Sequence, residues 1–343
     1  MGSNFDSQAA EVIHCDCRMI SGCEDSQTSA DVGNVGQFQL PNPAGRSGGA
    51  CTSALLNVLY NKKSSAVTTS EPSFVEVLRQ MRNDLQKGRF TQNPQLSSSR
   101  KMDLSTPFHI VNRDADINST RRAVLIGINY VGQQGQLSGC HNDAMNIKKY
   151  LMECHGFEES NIQMLMDDGR STNPTRKNIM NALQRLALES QPGDSVFFHY
   201  SGHGGSLPDD NGDEEDGMDE TLIPVDFKSA GQIRDDELFE KFIIPIQEGV
   251  TVTCLMDCCH SGSVLDLPYM FTADGKPNSN PQMQQNSKFN CVKMAKVAMR
   301  VLPAAMNAWQ KASRQGNAAA GCMTFCMAMA PVVQSLAKDW GRT

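Results

Sequence analysis

The chain has 343 residues, of which 38 are acidic and 31 are basic, giving a formal net charge of −7. This balance argues against a nucleic-acid-binding protein, which would present a basic face. Hydrophobic residues make up 39% of the sequence, enough for a sizeable core. The length predicts about two structural units, and no apolar run is long enough to span a bilayer.

The twelve cysteines could indicate disulfides, but their spacing is irregular, the chain is long and no secretory hydrophobic region opens it. We therefore expect a cytoplasmic protein whose thiols are mostly reduced. A structural zinc site is not expected, because the chain contains no Cys-x-x-Cys pair. A regulatory disulfide cannot be paired from the sequence.

Residues 1–94 form a first block. A stretch rich in Gly, Pro and Asn, 33–49, predicts a loop. Apolar residues at helical spacing then predict helices over 51–60 and 73–85. A polar segment, 95–118, is interpreted as a linker.

Residues 119–275 form a second block in which short apolar strands alternate with helices. The predicted strands are 123–128, 162–166, 195–200 and 250–256. The predicted helices are 142–154, one that starts near 172–175, and 238–246. This alternation indicates a parallel sheet covered on both faces. The tail, 276–343, includes a Met/Ala-rich segment that is predicted to be helical and has no assigned role.

Two of the strands run into loops that carry reactive side chains. His203 stands among glycines after strand 195–200, and Cys259 follows strand 250–256. Ligands bind beyond the carboxyl ends of parallel strands, and a neighbouring imidazole activates a thiol there. The backbone amides of Gly204 and Cys259 are candidate oxyanion donors. Each residue alone would more often be structural, but the pair at one sheet end indicates nucleophile and base.

The segments 200–205 (Tyr-Ser-Gly-His-Gly-Gly) and 257–262 (Asp-Cys-Cys-His-Ser-Gly) resemble the His and Cys motifs of metacaspases. The resemblance covers 121–275, the large (p20) region of that family. Segment 20–31 resembles its small (p10) region, which here comes first, as in type III metacaspases. The resemblance implies a caspase-like three-layer α/β sandwich with a mostly parallel six-stranded sheet, to which the first block contributes the last strands.

The resemblance also implies a cysteine endopeptidase that cleaves protein or peptide substrates after Arg or Lys through a thioester. The matching S1 positions are Cys140, Asp143, Ser201 and Asp257. Asp143 could alternatively cap the helix that it opens. Asp25 is a further candidate for the S1 pocket, while Cys258 could compete as nucleophile or take part in redox control.

Calcium is the cofactor that the resemblance implies, with Asp219, Asp235, Asp236 and Asp266 as ligands. Packing these carboxylates together without a cation would be unfavourable because like charges repel. The acidic run 209–216 is interpreted instead as a solvated loop, because it lacks EF-hand spacing. Two alternatives remain: a catalytically silent scaffold of the same fold, and a calcium- or redox-responsive binding module. We expect a monomer with no nucleic-acid or membrane partner and a role in programmed cell death.

Overall fold

The computed structural model describes residues 2–22, 31–33, 36–38, 40, 43–60, 71–208, 217–259, 262, 264–272, 282–286 and 289. Three features of the sequence lie outside these residues: Asp25, the acidic run 209–216 and the Met/Ala-rich segment of the tail. His260 and Ser261 of the cysteine motif lie outside them as well.

An eight-stranded sheet forms the centre of the described structure, and two smaller sheets lie beside it. The strands, in chain order, are β1 (Asp16–Ser21), β2 (Asp31–Val32), β3 (Gly48–Gly49), β4 (Gln95–Ser98), β5 (Arg121–Gly127), β6 (Ile162–Met166), β7 (Ser195–Ser201), β8 (Gly204–Pro208), β9 (Met218–Leu222), β10 (Ile233–Arg234), β11 (Thr251–Asp257), β12 (Tyr269–Thr272) and β13 (Gln284–Gln285). The order in the large sheet is β13-β12-β4-β1-β11-β7-β5-β6. Strands β1, β11, β7, β5 and β6 pair in parallel, and the pairs β1–β4, β4–β12 and β12–β13 are antiparallel.

The predicted mostly parallel sheet is therefore confirmed, with eight strands rather than six. The prediction omitted the short edge strands β12 and β13, which follow the cysteine loop. Strand β1 of the first block pairs in parallel with β11 of the second, and β4, inside the predicted linker, pairs with β1. Among the described residues, the first block thus contributes one strand, β1, to the common sheet, and this strand lies inside the sheet rather than among its last strands.

Helices cover both faces of this sheet. They are α1 (Gly2–Val12), α2 (Ala50–Tyr60), α3 (Phe74–Lys87), α4 (Cys140–His155), α5 (Arg176–Glu189), α6 (Phe227–Ala230) and α7 (Asp235–Leu238), with 3-10 turns at Gly36–Phe38 and Glu159–Asn161 and a π-helical turn at Phe239–Ile243. Their starts follow the local sequence: Ser73 and Glu76 form a capping box at α3, and the Thr175 hydroxyl caps α5.

Two apolar cores form the layers of the sandwich. Helices α2, α3 and α4 pack on one face of the sheet, and α1, α5 and the segment 238–246 pack on the other. Alternate residues of β5 serve both cores: Leu125 points into the first and Ile126 into the second. This arrangement places the carboxyl ends of β5, β7 and β11 together at one edge, where the candidate site lies.

Candidate active site

The two loops predicted to hold the catalytic pair lie side by side. Ser201, the last residue of β7, is in register with Asp257, the last residue of β11. A Cβ on Gly204 would lie 2.0 Å from the carbonyl oxygen of Cys259, so only glycine allows the two backbones to approach this closely. The fold thus brings the loop of His203 against the loop of Cys259.

The imidazole of His203 is held from two directions. Its Nε2 lies 2.6 Å from the carbonyl oxygen of Gly135. Its ring lies against the ring of Tyr130, with 4.6 Å between the centroids. Because a carbonyl only accepts, Nε2 donates in this contact and Nδ1 is the acceptor of the neutral ring. In that tautomer the ring can take a proton from a thiol through Nδ1.

The neighbouring cysteines have different surroundings. Cys258 is buried in the core that also contains Tyr130 and Tyr200, whereas Cys259 is half-buried. A thiol enclosed in an apolar core is poorly placed to meet a substrate, while a partly exposed one can react. This difference favours Cys259 over Cys258 as the nucleophile.

The four residues predicted to recognise a basic side chain lie together beside these loops. The Ser201 hydroxyl donates to Asp143 Oδ2 at 2.8 Å and contacts the buried thiol of Cys140. Asp143 and Asp257 are both buried. Burial, followed by the charge of Asp257, raises the pKa of Asp143 well above its usual value. A cationic side chain placed between the two carboxylates would relieve this repulsion.

The first block closes the acid pair from the other side. The Gly49 amide donates to Asp143 Oδ2 at 2.7 Å, and the Thr52 amide donates to Asp257 Oδ2 at 2.7 Å. Both amides lie at the start of α2, where unpaired N–H groups favour anions. A Cβ on Gly49 would lie 2.2 Å from Asp257 Oδ2 and 2.9 Å from Asp143 Oδ2, so the close approach requires glycine.

These contacts bear on the capping alternative for Asp143. The N-cap of α4 is Gly139, and the amide of the first helical residue, Cys140, donates to the Asn129 side-chain oxygen at 3.0 Å. Asp143 therefore does not cap the helix in which it lies. Its carboxylate instead contacts the start of α2, so it joins the two blocks at the site.

Asp31 is an acidic residue near this pair that the sequence interpretation did not select. It is exposed, and its Oδ2 accepts from the Ser138 amide at 2.8 Å and from the Ser138 hydroxyl at 3.1 Å. Its charge contributes to the raised pKa of Asp143. The sequence could have indicated Asp31, because it is the last residue of the segment 20–31 that resembles the p10 region.

A second cluster of acidic residues, called here the acidic cluster, lies next to β9. Carboxylate oxygens of Asp235, Asp236 and Asp266 lie within 4.8 Å of one another. Asp235 Oδ2 also accepts from the Glu220 amide at 2.9 Å. Burial, then the charges of Asp266, Glu220 and Asp219, raises the pKa of Asp235 to about 10. Asp266 has a left-handed backbone, with φ of 45°, a strained conformation that a functional role would explain.

Three of the four predicted calcium ligands thus lie within one cluster. The fourth, Asp219, forms an ion pair with Arg234, although its charge still raises the pKa of Asp235, as does that of the buried Glu220, which the prediction omitted. Several buried carboxylate oxygens at this spacing fit a hard divalent cation. Such an ion would replace like-charge repulsion by attraction.

Comparisons with known proteins show the family of the chain. Residues 121–268 match the family described as "Metacaspase, peptidase C14 domain", and residues 4–104 match the "Caspase domain". The chain is 52% identical to "Metacaspase III c" of Phaeodactylum tricornutum over 79% of this chain and 80% of that protein. The chain belongs to the metacaspases. The matches identify this metacaspase as a cysteine-type peptidase with the caspase-like fold.

Other relatives match a smaller part of the protein. "Metacaspase-1A" of Aspergillus oryzae is 48% identical over 49% of this metacaspase, which covers 41% of the fungal chain. The solved structure of protein GSU0716 from Geobacter sulfurreducens is 33% identical, covering 43% of this chain and 53% of that chain with a TM-score of 0.34. Among the described residues, no helix is both long and apolar enough to cross a membrane.

Proposed function

We propose that this metacaspase is a calcium-dependent endopeptidase that cleaves proteins after Arg or Lys. His203 takes the proton of the Cys259 thiol, and the thiolate attacks the carbonyl carbon of the basic residue; the amide C–N bond breaks as His203 gives that proton to the leaving amine. Water, deprotonated by His203, then hydrolyses the thioester. The amides of Gly204 and Cys259 are the proposed donors to the oxyanion.

The buried acid pair carries the specificity proposal. Asp143 and Asp257 lie next to both catalytic loops, and each is oriented by an amide at the start of α2. Two carboxylates held at this place suit a guanidinium or an ammonium group and repel an acidic side chain.

The acidic cluster supports the calcium proposal. Asp235, Asp236 and Asp266 would hold the ion. Asp235 and Asp236 lie in α7, and Asp266 follows the cysteine loop. A calcium ion held there would supply positive charge between these carboxylates, so that α7 and the segment after the cysteine loop could pack together, which is the proposed basis of activation.

Self-cleavage of the linker region is a further consequence of basic specificity, and five basic residues are candidates. Arg121 and Arg122 lie in the paired strand β5. The Arg100 guanidinium donates to the carbonyl of Ile13 at 2.6 Å. The other two, Lys101 and Arg113, are exposed on irregular backbone. A peptidase requires extended, accessible backbone. Arg113 lies in a turn in which the Ala115 amide donates to the Asn112 carbonyl, so we propose Lys101 as the cleavable position.

The deciding experiment measures turnover of fluorogenic peptides ending in Arg, Lys or Asp, with and without calcium. We expect calcium-dependent cleavage of the Arg and Lys peptides only, and loss of that cleavage in Cys259→Ala. Cys258→Ala is the matched control and should keep most activity. Full turnover by Cys259→Ala would refute the assigned nucleophile. Calcium binding without any turnover would favour a regulatory module, and neither binding nor turnover would favour a silent scaffold.

Redox control through Cys258, a cytoplasmic location, a monomeric state and a role in cell death are further proposals.

A further inference from the structure

Two buried tyrosines hold the backbone of the catalytic histidine. The His203 amide donates to the Tyr130 hydroxyl at 2.9 Å, and the Tyr200 hydroxyl donates to the His203 carbonyl at 2.8 Å. The two hydroxyl oxygens are 3.3 Å apart. Both backbone polar groups of His203 are therefore hydrogen-bonded to tyrosine side chains.

The same hydroxyls meet at Ile223, the residue that follows β9. The Tyr130 hydroxyl donates to the Ile223 carbonyl at 2.6 Å. The Ile223 amide lies 3.2 Å from the Tyr200 hydroxyl and 3.2 Å from the His203 carbonyl. Each hydroxyl thus uses its proton and a lone pair within one closed network. The network fixes the histidine loop to the β8–β9 hairpin.

Tyr130 also touches the reacting side chain itself, because its ring lies against the imidazole. This orientation depends on a left-handed backbone at Tyr130, with φ of 52°, a conformation that bulky residues rarely adopt. Asp167 holds it from both sides: its carboxylate accepts from the Asn129 amide at 2.8 Å and from the Val131 amide at 3.0 Å. The strained residue is thus clamped in place.

We infer that Tyr130 and Tyr200 are positioning residues, which fix the position of His203 relative to Cys259 before substrate binds. This inference rests on the proposed catalytic role of His203. Neither hydroxyl takes part in a proton transfer. Their contribution is to keep the imidazole between the Gly135 carbonyl and the Tyr130 ring, with Nδ1 left as the acceptor.

The expected effect follows from removing one hydroxyl at a time. Tyr130→Phe keeps the ring against the imidazole but removes the acceptor of the His203 amide. A displacement of a catalytic group by about 1 Å can lower a rate by about 100-fold. We therefore expect kcat to fall by about 10–100-fold in Tyr130→Phe. KM should be unchanged, because the acid pair is not touched.

Tyr150→Phe is the matched control. The Tyr150 hydroxyl is hydrogen-bonded to His155 Nε2 at 2.8 Å, and the two rings are 4.9 Å apart. It is therefore also a buried tyrosine in contact with a histidine, but at the far end of α4. The test compares Tyr130→Phe, Tyr200→Phe, Tyr130→Leu and this control by kcat, KM, melting temperature and the rate at which iodoacetamide alkylates Cys259.

The inference holds if Tyr130→Phe lowers kcat and the alkylation rate at unchanged KM, if Tyr130→Leu lowers them further, and if Tyr150→Phe leaves them unchanged. It is overturned if folded Tyr130→Phe keeps wild-type kcat, or if only KM rises. Should Tyr130→Phe unfold, Tyr200→Phe decides by the same criteria. Alkylation needs no peptide substrate, so it decides the positioning role even if the chain cleaves neither Arg nor Lys peptides.

Discussion

Two groups of buried carboxylates in this metacaspase differ in what surrounds them. The acid pair, Asp143 and Asp257, faces two amides at the start of α2. In the acidic cluster, the charges that raise the pKa of Asp235 are those of Asp266, Glu220 and Asp219. Both groups accept hydrogen bonds from backbone amides, and like charges face each other in both. The pair holds two carboxylates, whereas the cluster brings three within 4.8 Å of one another, with Glu220 and Asp219 adding further negative charge. The pair suits a substrate side chain that binds and dissociates, and the cluster suits a cation that stays bound.

The largest expected effect comes from removing one carboxylate of the pair. Asp143→Ala should lower kcat/KM on an Arg peptide by about 100–1000-fold, because Asp257 alone would face the cation. Asp143→Asn distinguishes the charge of Asp143 from its hydrogen bond, since the asparagine oxygen can still accept from the Gly49 amide. If the asparagine variant regains wild-type kcat/KM, then Asp143 serves only to join α4 to α2.

Gly49→Ala tests the contact between the blocks. Its Cβ would overlap both carboxylates, so we expect a loss of kcat/KM on Arg peptides of about tenfold or more. Gly33→Ala is the matched control in the same block, because a Cβ added to Gly33 would meet no atom within 4 Å. Equal kcat/KM for both variants would mean that α2 does not need to approach the acid pair.

Asp266→Asn tests the cluster. Removing one of three converging carboxylates should weaken calcium binding by about tenfold or more, as titration calorimetry would measure. The exposed Asp168 gives a control variant, Asp168→Asn, with unchanged calcium affinity. EGTA should suppress turnover of the wild-type protein. If Asp266→Asn binds calcium as tightly as the wild type, the ion lies elsewhere.

The smallest expected effect concerns Asp167, whose carboxylate accepts several hydrogen bonds. Burial alone would raise the pKa of Asp167, but the His141 imidazole and the amides of Val131 and Asn129 outweigh it and lower that pKa to about 2. A carboxyl group with a lowered folded-state pKa stabilises the fold above its unfolded value of 3.8 and loses that stabilisation as pH falls towards 2.

Asp167→Asn should therefore lower the melting temperature by about 2–4 °C at pH 6. The difference between the two proteins should shrink as the pH falls from 4 to about 2. A difference that stays constant over this range would show that charge on Asp167 does not contribute to stability.

The sequence predicted the elements whose pattern is local. The apolar strand at 162–166 was found with its bounds, and the helix after Thr175 was placed by its cap. The adjacency of the His203 and Cys259 loops also followed, because parallel strands end at one edge.

The contacts around the acid pair could not be predicted in the same way. Thr52 and Asp257 are 205 residues apart in the chain, and a backbone amide carries no side-chain signal. The left-handed Tyr130 was equally hidden, because its conformation depends on Asp167 from another strand end. Long-range geometry, rather than local propensity, determines these features.

The central position of β1 has a consequence for biosynthesis. Because domains emerge from the ribosome with their N-terminal part first, β1 is made long before β11, the neighbour with which Asp16 aligns at Thr251. Until β11 has been synthesised, β1 can pair with β4 alone, and the Thr52 amide of α2 has no Asp257 carboxylate to which it can donate. A nascent chain consequently carries no assembled cleft, which would protect the translating cell from a premature protease.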